Sequence, residues 1–349
     1  MKTVSARVPV RTGPRTFRAM TTGGRSVAEG LLQASACVGL TVLDAELRPR
    51  RIGYRDLAQL AEQAARSLQA RGVCPGDRVC LLAQTSPHLV VTLFGIWRLG
   101  AVPVVLPSAR RRDVEEFVAE VSRRVEAAES ALLVTTERNA EMLVGRLASA
   151  VTSLRELRGS RTLGQAPLAM PSPDDIGLLQ FPSGTTAQLR AVPVTQAQLV
   201  GTVAAVGEHV GFGPDDTYVS WLPLHHGMGI VPLAGLVAGG AEIVMMATNA
   251  FQEDPGSWMR TVSDYRATLT AAPGTAYSLA AAVQARNPAA LNLSQLRLAV
   301  HVGESLETGA LAATNRVFGP YGLDSAALRP MYGPTRKGPC RQGGTVAVR

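Results

Sequence analysis

Lysine is nearly absent from this 349-residue chain: Lys2 and Lys337 are the only two, and every other basic residue is arginine. Carboxylates are absent from both ends. Residues 1–28 hold six basic groups (Lys2, Arg7, Arg11, Arg15, Arg18, Arg25), and residues 336–349 hold four (Arg336, Lys337, Arg341, Arg349), with no acid in either stretch. The ends therefore account for all of the net formal charge of +8. The body between them has a slight acidic excess and no basic stripe with interleaved aromatics, which argues against nucleic-acid binding. Cysteines are few, and Cys37, Cys74, Cys80 and Cys340 fit neither a disulfide framework nor zinc-ligand spacing. That usage points to a reducing, cytoplasmic compartment. Long apolar runs are missing too: the stretch Val79–Pro107 is broken by Gln84, Pro87, His88 and Arg98. No run of the roughly 18 residues that a membrane-spanning helix needs is continuously apolar, since the longest uncharged stretches are broken by proline, glycine and small polar residues.

Hydrophobic residues make up 46% of the sequence and charged residues 18%, enough apolar mass for a large folded unit. From about residue 40, short β-rich runs alternate with helical stripes. Leu57, Leu60, Ala61, Ala64, Ala65 and Leu68 keep helical spacing, with Gly72 just past the end. Strands are predicted at 78–83, 101–105, 131–135, 177–181, 217–221 and 242–246, and near 267–270 and 296–300. Ser86-Pro87 reads as an N-cap followed by proline at N1, opening a helix that closes at Gly100. Such alternation with short connections predicts an α/β fold of doubly wound sheets flanked by helices. The Pro/Ser-rich passage 166–173 suggests a division into a basic disordered leader (1–28), a first α/β subdomain (29–170), a second (171–335) and a divergent tail (336–349).

The stretch with the most chemistry in it is Leu178–Thr195, LLQFPSGTTAQLRAVPVT. A buried strand empties into Ser183-Gly184-Thr185-Thr186, with Arg190 beyond. Small hydroxyl residues around a glycine let N–H and O–H groups wrap phosphate oxygens, balanced by a nearby fixed cation. The spacing is not that of a P-loop. Taken alone, such a loop is usually just a turn.

Further segments settle between those readings. Gly72-Val73 with Pro75-Gly76-Asp77-Arg78-Val79, Gly100-Ala101-Val102-Pro103-Val104, Ser220-Trp221-Leu222-Pro223-Leu224-His225-His226-Gly227-Met228-Gly229, Ala272-Pro273-Gly274-Thr275-Ala276-Tyr277, Gly303-Glu304-Ser305-Leu306 and Tyr332-Gly333 follow in order. Together with the S-G-T-T loop, this set resembles the adenylate-forming superfamily, nearest to fatty acyl-AMP ligases and acyl-CoA synthetases. The resemblance covers residues 29–335. It implies that a carboxylic acid, expected to be a fatty acid, attacks the α-phosphate of ATP to give an acyl-adenylate and pyrophosphate. An acyl carrier protein or CoA is the implied acceptor.

By the same resemblance Ser183, Gly184, Thr185, Thr186 and Arg190 face the phosphates, and His226 orients the carboxylate. Gly303 and Glu304 line the adenine pocket, and Tyr332-Gly333 stacks on the base. Without the motif, His225-His226 reads as a structural turn. In an extended segment the two rings are expected on opposite faces, unable to share a metal. Trp221 and Tyr277 read either as walls of an acyl tunnel or as core.

Departures from the family pattern also carry expectations. Ala187, Leu189, Arg190 and Ala191 replace the glycine, proline, lysine and glycine of the usual phosphate loop, and Gly227 replaces an aspartate. Arg336 stands where the family has a glutamate that ligates Mg2+, and a guanidinium repels a cation. Beyond that point the resemblance stops, and no catalytic-lysine domain follows. The expectation is a truncated ligase, impaired alone, with a non-catalytic nucleotide- or acyl-binding module as the alternative.

Overall fold

The computed structural model describes residues 25–34, 37–107, 113–160, 166–181, 191–211, 213–302 and 308–331. Its strands are β1 (Gly39–Leu43), β2 (Pro49–Gly53), β3 (Arg78–Leu82), β4 (Val102–Val105), β5 (Ser130–Thr135), β6 (Ala150–Ser153), β7 (Ile176–Gln180), β8 (Val192–Thr195), β9 (Thr217–Ser220), β10 (Glu242–Met246), β11 (Leu269–Pro273), β12 (Leu298–Val302) and β13 (Leu328–Met331). The helices are α1 (Val27–Gln33), α2 (Tyr54–Gln69), α3 (Pro87–Leu99), α4 (Val114–Ala127), α5 (Glu137–Leu143), α6 (Leu154–Arg158), α7 (Gln196–Val210), α8 (Gly227–Ala238), α9 (Thr248–Glu253), α10 (Gly256–Asp264), α11 (Gly274–Arg286) and α12 (Thr308–Phe318).

Local chemistry sets many of these ends. In α3 the Ser86 hydroxyl accepts from the Leu89 N–H, Pro87 occupies the first turn, and Gly100 closes the helix at φ 79°. Thr195 forms a capping box with Gln198 at the start of α7.

The strands form a seven-stranded sheet in the order β13-β12-β11-β9-β10-β1-β2, a four-stranded sheet β4-β3-β5-β6 and a hairpin β7-β8. Ladders in the two large sheets are parallel except β1-β2, and the β7-β8 hairpin is antiparallel. The expected α/β architecture of helix-flanked sheets is present, with these two antiparallel pairs added. Pairing of β1 with β10 ties residues 39–53 to a sheet built mostly from residues 217–331, across the sequence division at 170.

Alternation along each strand sorts side chains into layers. On β10, Ile243 and Met245 join the core between the two large sheets, where Leu57, Leu93, Trp97 and Leu233 also lie. Val244 and Met246 face the opposite side, against Trp258 and Tyr277. A third core packs α4, through Phe117, Val121 and Val125, on the outer face of the four-stranded sheet. The layers therefore alternate helix and sheet, and each buried aliphatic side chain contributes roughly 1.5–3 kcal/mol. No helix among the described residues is long and apolar enough to cross a membrane.

Candidate functional site

The parallel strands of the large sheet all run the same way, so their carboxyl ends form one edge. Open α/β sheets bind ligands at that edge, where connections leave the strands. Pro273 of β11, Val302 of β12 and Met331 of β13 lie in register across three neighbouring strands. Gly274, Gly303 and Tyr332 each follow one of these residues in sequence. Three motif segments, from three distant parts of the chain, thus leave the sheet at one level.

The fourth segment leaves β9 at Ser220 and turns into α8. Its geometry is tight: the His226 N–H donates to the Pro223 carbonyl at 3.1 Å, and the His226 carbonyl accepts from Gly229 and Ile230. Gly229 is packed so closely that a β-carbon there would sit 2.3 Å from the Pro223 oxygen. The turn also changes where the two histidines point. Their ring centroids are 4.4 Å apart at an interplanar angle of 44°, side by side rather than on opposite faces. The expectation from an extended backbone fails because the chain bends here instead of continuing the strand. Burial pushes His225 down to about 4, with the neighbouring His226 and Arg124 adding to the effect. His226, more exposed, is also lowered by desolvation. Both rings are therefore neutral at pH 7, and His226 sits at the N-cap of α8.

The hairpin β7-β8 meets this turn. A β-carbon on Gly227 would lie 3.1 Å from the Gln180 Oε1 and 3.2 Å from its Nε2. The Gln180 amide thus lies tightly against the place where a side chain at position 227 would begin, and would have to give by a few tenths of an ångström. Ser183-Gly184-Thr185-Thr186 and Arg190 lie between β7 and β8 in sequence, outside the described residues, as do Gly303, Glu304, Tyr332, Gly333 and Arg336. The described strand ends flank each of these segments, and His226 is the one predicted site residue whose placement is described.

Trp221 and Tyr277 are both core residues. Trp221 stacks on Phe251 (3.7 Å, 3°), Trp258 meets Tyr277 edge to face (4.8 Å), and Tyr277 stacks on His301 (3.8 Å, 9°). His301, on β12 two residues before Gly303, was not singled out in the sequence. Its signal is a histidine inside an otherwise apolar strand. Among the described residues Cys37, Cys74 and Cys80 form no disulfide. Among the described residues no three His, Cys, Asp or Glu side chains gather as a metal site.

The family described as AMP-binding enzyme matches residues 32–341. Long-chain-fatty-acid–AMP ligase FadD26 of Mycobacterium marinum is 27% identical over 310 residues, covering 84% of this chain and 52% of the relative. The 4-hydroxyphenylalkanoate adenylyltransferase of Mycobacterium tuberculosis is 26% identical over 276 residues, covering 74% and 44%. Among solved structures, a fatty acyl-adenylate ligase, from a study of the E. coli and L. pneumophila enzymes, superimposes with a TM-score of 0.81. It is 25% identical, over 91% of this chain and 59% of that one. The chain spans about half the length of the relatives it matches.

Proposed function

Because the chain belongs to the AMP-binding enzyme family, we propose that it carries the nucleotide- and acid-binding part of a ligase that activates a carboxylic acid with ATP. A carboxylate oxygen attacks the α-phosphorus, the bond to the bridging oxygen of the β-phosphate breaks, and pyrophosphate leaves. The acyl-adenylate then passes its acyl group to a carrier-protein thiol or to CoA. Such chemistry relies on positioning and on neutralising charge that develops in the transition state.

The observation that supports this reading most is the convergence of strand ends: Pro273, Val302 and Met331 in register, with the His226 turn and Gln180 beside them. In this reading Ser183, Gly184, Thr185 and Thr186 surround the outer phosphates, with Arg190 as counter-charge. His226, neutral and holding the N-cap of α8, orients the acid near the α-phosphorus. Gly303, Glu304, Tyr332 and Gly333 frame the adenine. Arg336 stands where the resemblance places a Mg2+-ligating glutamate, and a guanidinium does not ligate a cation, so this residue does not fit a resident Mg2+.

Calorimetric titration with acyl-sulfamoyladenosines, stable mimics of the acyl-adenylate, tests the reading. Saturable binding is expected, weakened roughly tenfold by His226→Ala, a loss of about 1.4 kcal/mol. If no mimic binds, the assignment fails. In pyrophosphate–ATP exchange with a panel of fatty acids, the chain alone is expected to be slow, since Arg336 stands where the resemblance places a metal-ligating glutamate. Fast exchange would remove the impairment and leave the ligase reading standing.

A further inference from the structure

The aromatic stack beneath the strand ends contains polar groups that are paired and polar groups that are not. Trp258 Nε1 donates to Thr270 Oγ1 at 2.9 Å, and the Tyr277 hydroxyl donates to the Val300 carbonyl at 3.2 Å. His301 is 1% exposed, yet both of its ring nitrogens lack a partner, as does Trp221 Nε1 in the same stack. Leaving buried donors and acceptors unmade is costly, so an orphaned imidazole in a native fold calls for an explanation. Bulk water does not reach this ring. Its face is occupied by Tyr277, so any partner must approach its edge.

One side of that edge faces a residue that has no side chain. The nearest heavy atom to a β-carbon built on Gly274 is His301 Nδ1, at 4.0 Å. Gly274 begins α11, a 13-residue helix whose N-terminus has no side-chain cap. Its first-turn N–H groups therefore point from the carboxyl edge of the sheet without an intrahelical acceptor. An orphaned ring and an uncapped helix N-terminus meet at a glycine, at the same level as the motif segments after β12 and β13.

We propose that the His301 edge and the amino end of α11 at Gly274 select the substrate: an acid whose body carries a hydroxyl group, over an acid with an unbroken alkyl chain. This rests on the reading of the strand ends as an acid-activation site. A neutral imidazole offers one N–H donor and one bare nitrogen, and a hydroxyl, which both donates and accepts, satisfies either together with a helix N–H. An alkyl chain leaves all of them unpaired, and a site built to hydrogen-bond a substrate group discriminates against the analogue that lacks it. Among the described residues no carboxylate shifts His301, whose ring is held down to about 4 by burial.

The test titrates the full chain with matched acyl-sulfamoyladenosines: plain alkanoyl probes against twins of equal length with a hydroxyl at successive positions, and a phenyl against a 4-hydroxyphenyl pair. At least one hydroxylated probe is expected to bind roughly tenfold tighter than its twin, the effect of about one hydrogen bond. His301→Phe is expected to erase that preference while keeping the affinity for the plain probe, a result that misfolding does not produce. Nitrogen NMR of the wild-type imidazoles supplies a readout without mutation: the His301 signals move with the favoured probe and stay with its twin. Equal binding of twins at every position overturns the selection and leaves the adenylate reading intact. Absence of binding by any probe defeats that reading, and the selection with it.

Discussion

Gly229 shows how a single residue fixes the candidate site. The turn after β9 folds its own backbone against α8, and a β-carbon at 229 would lie 2.3 Å from the Pro223 oxygen and 2.9 Å from the Leu222 oxygen. Real β-carbons do not approach backbone so closely, and neither oxygen belongs to a flexible side chain. Gly229→Ala must therefore open the turn, at a cost of about 1–3 kcal/mol, the range of overpacked sites. Chemical denaturation is expected to show that loss, and affinity for an acyl-sulfamoyladenosine is expected to fall with it because His226 shares the turn. Unchanged stability would mean that the turn is looser than its geometry indicates. The glycine was legible in the sequence as part of a motif, but its reason was not. Nothing in the order Leu-Pro-Leu-His-His states that the backbone doubles back, which is also why the two imidazoles were expected on opposite faces.

At the scale of elements, the hairpin β7-β8 depends on a contact from far away in the chain. The ladder shifts register between Ile176 and Leu178, leaving Gly177 outside the regular pairing. Its carbonyl accepts from the buried indole Nε1 of Trp97, on α3, at 2.6 Å. A bulge is a weak point in a strand, and here one helix of the first half covers it. Trp97→Phe keeps an aromatic ring but removes the donor, leaving a buried carbonyl unpaired and a gap beside it. A loss of about 2–4 kcal/mol is expected in denaturant unfolding. Hydrogen exchange is expected to rise first in 176–180 and 192–195, the strands flanking the S-G-T-T segment, and uniform loss of protection would instead mark Trp97 as ordinary core. The contrast with α3 itself explains what a sequence discloses. Ser86, Pro87 and Gly100 act within a turn of the helix they bound, so their meaning is local and readable. The partner of Gly177 is 80 residues away, and β1 finds β10 across 200 residues. Neither pairing leaves a periodic trace, and so the antiparallel pairs and the mixed membership of the large sheet emerge only in three dimensions.

The whole molecule responds to acid through the same edge that is assigned to chemistry. His225, after β9, and His301, on β12, are both pushed down to about 4, chiefly by burial. Unfolded, each imidazole takes up a proton near its ordinary value of 6.5. Between those two values the unfolded chain binds more protons than the folded one. The stability that these histidines confer is therefore complete above pH 6.5 and is lost as the pH falls toward 4. For fully buried His301 the limiting slope is about 1.4 kcal/mol per pH unit, and for His225, only partly buried, solvent screening makes it smaller. Calorimetric unfolding at pH 5 in buffers of different ionisation enthalpy measures the protons taken up. The double variant H225N/H301N is expected to take up about two fewer than the wild type, one for each ring. Carboxylates held down by hydrogen bonds, such as Asp44 and Glu156, act at lower pH and are common to both proteins. Equal proton uptake would mean that the two rings are charged in the folded protein, and a protonated His301 has no bare nitrogen to accept a hydroxyl. The same measurement therefore tests the acid response of the fold and the donor–acceptor character on which substrate selection at β12 depends.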